Sequence, residues 1–426
     1  MKKIALFLIL LLTYTATAQF SKTHYIPPLS GSNNVQAEEQ FMYISTPSTT
    51  PINVRITQLG GATILGTVSR NVPYVLNIGV GNNTQLQVDP SMINTILNNK
   101  GYIVEADDVV YVSTRVIAGN SNQAGELVSK GLAALGTRYR IGAFTNLNAP
   151  QYGISHHTFV SILATENNTT VSFSDLKPGV TLVNNTGAGN SPGPIILNSG
   201  ESFVMAVEGP TEANRDGLIG SLVTSDKPIA VNCGSFGGTN GELSNLDLGF
   251  DQLVSAERTG QEFIFIKSTG LNPVEKILIV ADVDNTDVFL NGGAFPTITL
   301  NAGEYVALDG SNFSVNGNLY INTSENVFAF QSVGDDGRVD QANQEMFFVP
   351  PLSCQTPKTI DNIPFLDLVG TRVFTGRVTI VTETSSTLTF ILNGTNYTLA
   401  TLPAGVFVTG PINVIGNTNF ETYTIT

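Results

Sequence analysis

The chain of 426 residues contains no tryptophan, three histidines and two cysteines, and charged residues make up only 13% of it. The scarcity of histidine bears on catalysis and metal binding at once. His24 stands alone, and His156 adjoins His157. Neighbours on a strand point to opposite faces, so that pair cannot hold one ion together unless the backbone turns there. The pair reads as solvated loop residues. Positive charge is the scarcer sign, 20 Lys+Arg against 34 Asp+Glu. Such a surface repels a phosphate backbone, which excludes nucleic acid as a partner. The one long apolar run, residues 4–12, is about half of the ~20 residues that span a bilayer, which excludes a membrane span. The cysteines, Cys233 and Cys354, allow either one disulfide or two buried thiols, and their separation in sequence decides nothing about geometry.

What is present begins with a leader. Lys2 and Lys3 precede the apolar run, and Ala16-Thr17-Ala18 has the small-x-small form that signal peptidase accepts. A signal peptide over 1–18, cleavage before Gln19, and a secreted or outer-surface protein are expected. The 41 glycines and 20 prolines, with Thr, Asn and Ser crowding the turns, suit a many-stranded β protein.

The chain is organised around residues 217–238, GLIGSLVTSDKPIAVNCGSFGG. Leu222-Val223 and Ile229-Ala230-Val231 flank Ser225-Asp226-Lys227-Pro228, a sequence suited to a hairpin turn. The pattern returns at 103–112 and 319–330, so the copies lie roughly a hundred residues apart, a domain-sized period. A second landmark is a glycine corner, Gly200-Glu201, Gly303-Glu304 and Gly405-Val406, amid period-two alternation that buries one face of each strand. Strand openers are read at 41–46, 263–269 and 378–382. The expected fold is all-β: about four tandem antiparallel sandwich-like modules, at 19–120, 121–238, 239–337 and 338–426, the last incomplete. A propeller-like ring of large repeats is the alternative, although blades need only ~40–50 residues. Residues 123–135, where Leu127, Leu132 and Leu135 recur near helical spacing, are the one expected helix.

Candidate sites are few. Asp282, Asp284 and Asp287 could offer hard oxygen ligands to Ca2+, but the stretch lacks the glycine and distal glutamate of an EF-hand loop. Its counterpart at 165–169 keeps one carboxylate, as a plain hairpin turn would. Asp335, Asp336 and Asp340 form a weaker cluster of the same kind. Cys233-Gly234-Ser235-Phe236-Gly237 departs from a hydrolase nucleophile elbow at its first position and lacks the strand-to-helix context. No catalytic or cofactor-binding residue is assigned, and no cofactor is expected beyond possible Ca2+.

Residues 225–270, together with VFAFQSVGDD at 327–336 and MFFVPPLSCQTP at 346–357, resemble the N-terminal domain family of IgGFc-binding protein. The resemblance covers 20–426. In Bacteroidota such domains sit at the front of long exported proteins, many with gliding-motility or type IX secretion sorting domains. The family name implies immunoglobulin Fc or mucin partners. The resulting expectation is a non-enzymatic, exported binding or adhesion module for an extracellular glycan or glycoprotein. The alternative is a glycan-processing hydrolase, which needs two carboxylates ~5–10 Å apart in one cleft, or its carbohydrate-binding accessory.

Overall fold

The structure, a computed structural model, describes residues 20–32, 35–119, 123–144, 157–185, 191–209, 211–238, 247–334, 342–353, 359–360, 363–374, 376–392 and 394–426. The leader lies outside them. Three strands of 17 residues each, Tyr102–Ala118, Leu222–Gly238 and Asn318–Gly334, dominate the fold. Each is the centre of its own antiparallel sheet, and the three sheets share one order over five strands, to which the second adds Ile96–Leu97 at its edge.

The polar stretches expected to be hairpin turns lie inside these long strands, and the chain passes through them without reversing. What changes is the partner. The first half of Tyr102–Ala118 pairs with Ser21–Ile26 and Ile52–Gln58, and the second half with Ala37–Ser45 and Gln123–Val128. Leu222–Gly238 divides in the same way between Gly136–Arg140 and Thr169–Ser174, then His157–Ala164 and Asp247–Gln252. Asn318–Gly334 divides between Gly260–Ile266 and Thr286–Leu290, then Lys276–Ala281 and Ala342–Phe348. A register shift stands opposite each changeover, in Ser21–Ile26, Gly136–Arg140 and Gly260–Ile266, as expected where a strand bends from one half-sheet into another. The polar side chains at the bend stand in for ladder acceptors. Asp107 accepts the Asn53 N–H at 3.2 Å, Asp226 that of Thr170 at 2.7 Å, and Ser324 that of Asp287 at 2.8 Å. Pro228, which has no N–H, falls where no ladder donor is required.

Two further expectations are corrected. Residues 123–135 are not a helix but the strand Gln123–Val128 followed by a single 3-10 turn, Gly131–Ala134. Leu127 is buried while Leu132 is 53% exposed, so the leucines do not share a face. Gly125 also fits a strand, because a Cβ there would stand 2.7 Å from Cβ of Leu248 on the neighbouring sheet. The openers at 41–46 and 263–269 are not equivalent either. Ala37–Ser45 pairs with the second half of its long strand and Gly260–Ile266 with the first, so the counterparts of Phe41 lie in His157–Ala164 and Lys276–Ala281. Alternation reads the same on both half-sheets and cannot separate them.

The glycine corner recurs as expected. Gly200 and Gly303 have φ of +81° and +82°, and the following Glu201 and Glu304 accept the Asn198 and Asn301 N–H groups, both at 2.7 Å.

The three sheets pack face to face. His157–Ala164 is buried at all eight positions, because its sheet is covered on both sides. Phe159 joins Val112 and Val116 of the first sheet in one core, while Val160 and Ile162 join Leu278, Val280 and Phe330 of the third in another. That double covering explains why HTFVSILA is a nearly continuous apolar run. The last strands of the three sheets, Gln123–Val128, Asp247–Gln252 and Ala342–Phe348, pack against one another. Beyond them the chain returns to the first sheet. Arg115 donates to the carbonyls of Pro364, Phe365 and Leu368 at 3.1, 2.6 and 2.7 Å, and its guanidinium lies 4.4 Å from the ring centre of Tyr43. A small sheet of Val378–Glu383, Phe420–Ile425 and Val408–Asn413 packs through Val414 on Ile264 and Tyr320.

Candidate binding site

The carboxylates considered for Ca2+ are held by separate partners. Asp282 is gripped by two arginines of the second sheet: Arg138 Nε and Nη2 reach Oδ1 at 3.0 and 2.8 Å, and Arg140 Nε reaches it at 3.0 Å. This proximity raises the Arg138 pKa still further, chiefly through the hydrogen bond to Asp282. Asp284 accepts the Ala302 N–H at 3.0 Å, and Asp287 the Thr299 hydroxyl at 2.5 Å. Among the described residues no group of three or more His, Cys, Asp or Glu is placed to share a metal ion. The turn matches its counterpart in the second sheet. Asn168 and Asn285 have φ of +53° and +58°, and Thr169 and Thr286 each close the turn onto a carbonyl at 2.8 Å.

Cys233 is a free thiol, fully buried, with its pKa pushed up to about 12 by burial. Cys354, His156 and the cluster Asp335, Asp336 and Asp340 lie outside the described residues.

The other two histidines are not solvated but fully buried between strands. His24 Nε2 is within 3.0 Å of the Val110 carbonyl and 3.2 Å of that of Ser21, and Nδ1 is 2.9 Å from the Ser129 hydroxyl. Two carbonyl acceptors place the proton on Nε2, and the Ser129 hydroxyl beside Nδ1 also lies 3.0 Å from Gln252 Oε1. Burial outweighs both carbonyls and depresses the His24 pKa to about 4. His157 Nδ1 lies 3.0 Å from the Ser30 hydroxyl across the seam between the first two sheets, and Nε2 is 3.7 Å from Glu208. Ser30 and His157 are both 0% exposed and join two modules out of reach of a substrate, while the Glu208 side chain is 32% exposed.

The strongest polar cluster was not read from the sequence. Asp251 lies where the last strands of all three sheets meet. It accepts from Val128 N–H of the first sheet at 3.1 Å, its own neighbour Gln252 N–H at 2.8 Å, and Phe348 N–H of the third sheet at 2.9 Å. Lys130 Nζ completes the set at 2.8 Å. Desolvation nevertheless prevails and raises the Asp251 pKa above the usual carboxylate range. Asp247, four residues earlier, accepts the Ala124 N–H at 2.8 Å in the same manner. The available signal was the pair of acids spaced four apart in DLGFDQ, a period that sets both on one strand face.

Two open depressions occur at the surface. One, of about 380 Å³, lies beside Arg138, Asp282 and Glu257. The other, of about 490 Å³, lies on the first module and is lined by Val80, Asn82, Asn83, Asp89 and Ser91 among others. Its walls are fixed from behind. Buried Lys100 donates to Asn83 Oδ1 at 2.7 Å and to the carbonyls of Thr84 and Gln87. Asn82 Nδ2 donates to the Ser32 carbonyl at 2.5 Å, and Asn184 of the second module donates to the Pro90 carbonyl at 2.6 Å.

The family described as IgGFc binding protein matches residues 124–425. The chain belongs to the IgGFc-binding family. The matched span opens within the last strand of the first sheet and takes in the third sheet, the small sheet beyond it and all of the second sheet but its edge strand Ile96–Leu97, so the other strands of the first sheet precede it. No curated protein matches the chain. Two solved chains are similar to it at 11% identity and a TM-score of 0.12. One concerns host cell surface retention of a 1.5-MDa bacterial ice-binding adhesin and is covered over 90% of its length, with 73% of this chain. The other is a Ca2+-stabilized adhesin that helps an Antarctic bacterium reach out and bind ice, covered over 68%, again with 73% of this chain. At that TM-score neither carries an argument about this protein.

Proposed function

We propose that this is an exported, non-catalytic binding or adhesion protein that recognises an extracellular glycan or glycoprotein, released after cleavage of a signal peptide before Gln19. Membership of the IgGFc-binding family carries the reading. The geometry fits it. Perturbed ionisable groups mark functional sites when they line a cleft, whereas His24, Asp251 and Cys233 are buried within sheets or at their seams. Glu275, whose pKa burial raises, likewise accepts the Ser268 and Gly270 N–H groups inside the third module. Three sheets joined by such seams make a stiff body that presents loops and grooves, which favours recognition because little order has to be created on binding. No helix among the described residues is long and apolar enough to cross a membrane.

The test is an array of extracellular glycans and proteins, immunoglobulin Fc and mucins included, probed with the chain starting at Gln19. Saturable retention of one class is the expected result. Release of free sugar from a polysaccharide, without stable retention, would replace binding with hydrolysis.

A further inference from the structure

We propose that the groove over Val80, Asn83 and Asp89 is a binding site for a neutral sugar residue of an extracellular glycan. This inference rests on the reading of the protein as an extracellular binder and gives that reading a place and a ligand class. The groove, about 490 Å³, lies within the volume range of small-ligand sites, ~300–1,000 Å³. Its polar groups are divided between those that hold the wall and those left over. Asp89 takes both Ser91 donors on Oδ1, the backbone N–H at 2.9 Å and the hydroxyl at 2.6 Å, so Oδ2 has no hydrogen bond among the described residues. Asn83 gives its Oδ1 to Lys100, which leaves its amide NH2 as a donor. An acceptor and a donor lining the same groove match a sugar's hydroxyls, each of which both donates and accepts. Val80, 73% exposed at the rim, offers an apolar contact for the C–H face of a pyranose.

Other ligand classes fit less well. The Ser91 hydrogen bonds hold the Asp89 carboxyl below its usual pKa and therefore ionised, and the whole chain has a formal net charge of −14. Both repel sialylated or sulfated glycans. Lys100, the cation behind the wall, is 5% exposed and donates to three protein oxygens, so it offers little to an anion. A Ca2+ ion would require about six to eight oxygens, where Asp89 brings one carboxylate.

The experiment compares the chain from Gln19 with Asp89→Ala and Val80→Arg variants on an array of neutral, sialylated and sulfated glycans beside immunoglobulin Fc and mucin polypeptides, with thermal melting of each protein. The expected result is retention of neutral glycans by the wild type, weakened about tenfold or more in both variants, ~1.4 kcal/mol or more. Val80→Arg alters only an exposed side chain, so its melting should match the wild type and it keeps the test valid if Asp89→Ala weakens the fold. Unchanged neutral-sugar binding in the variants would overturn the groove and leave the binding reading intact. Retention of charged glycans alone, or of proteins alone, would do the same. Retention of nothing would overturn both.

Discussion

Lys130 Nζ lies 2.8 Å from Asp251 Oδ2 with both side chains buried, and three backbone N–H groups, one from each sheet, converge on the same carboxylate. One carboxylate thus ties together the last strands of all three modules.

Removing one member of this pair should cost more than removing both. Lys130→Met leaves the buried Asp251 carboxyl without its cation, and the loss expected is about 3–5 kcal/mol. Lys130→Met with Asp251→Asn should lose less than the sum of the two single changes, because the unpaired carboxyl goes with it. Urea denaturation of the four proteins gives the coupling energy directly. Strict additivity would show that the two side chains do not act on each other.

Acid should weaken the fold through His24. Its folded pKa of about 4 lies below the unfolded value of 6.5, so the fold favours the neutral ring. The contribution is fully present above pH 6.5 and is lost as pH falls from 6.5 towards 4, amounting to about 3 kcal/mol at 1.36 kcal/mol per pKa unit. His24→Gln should flatten this part of the profile. The difference in unfolding free energy between wild type and variant, measured from pH 7 to pH 4, isolates it from the carboxylates.

Asp282 should behave as an arginine partner. Asp282→Ala removes one of the two carboxylates held by Arg140, whose side chain is 2% exposed, and leaves it Asp175 at 2.5 Å, so a loss of about 1.5–3 kcal/mol is expected. Thermal melting in millimolar Ca2+ and in chelator should coincide. A rise in melting temperature with Ca2+ that disappears in Asp282→Ala would show that the ion displaces the guanidinium groups.

The second and third modules meet at two glycines. A Cβ on Gly220 would lie 1.8 Å from the Gly303 carbonyl oxygen, and Gly220 has φ of +80°. Gly220→Ala combines overpacking, about 1–3 kcal/mol, with a left-handed backbone that alanine resists by about 1–2 kcal/mol. A drop in melting temperature of several degrees is expected, together with faster proteolysis at the seam. Gly193→Ala, at φ +76° with open space around it, should cost only the backbone part.

Features set by local chemistry were legible in the sequence. The Gly-Glu corner could be read because one residue needs a positive φ and the next returns a carboxylate to the backbone, both within four positions. The all-β class followed from alternation for the same reason. What was not legible depends on partners far along the chain. Ser225 to Pro228 has the composition of a turn, and only the arrival of Thr169–Ser174 and His157–Ala164 on opposite halves of the strand turns it into a bend. Asp282 looked like part of an acidic cluster because Arg138 and Arg140 stand about 140 residues earlier. The groove residues carry no motif, since what fits them for a ligand is which of their polar atoms the fold leaves over.

The middle sheet, covered on both faces, packs against strands that lie outside the span matching the family. The span shared with the family begins at residue 124, yet Phe159, Phe236 and Phe250 inside that span bury themselves against strands that lie before it. A fragment of residues 124–425 would have a row of aromatic rings facing water and would seek another surface to cover them. The family match runs over residues 124–425, but the core that holds Phe159, Phe236 and Phe250 closes only when residues before 124 are included.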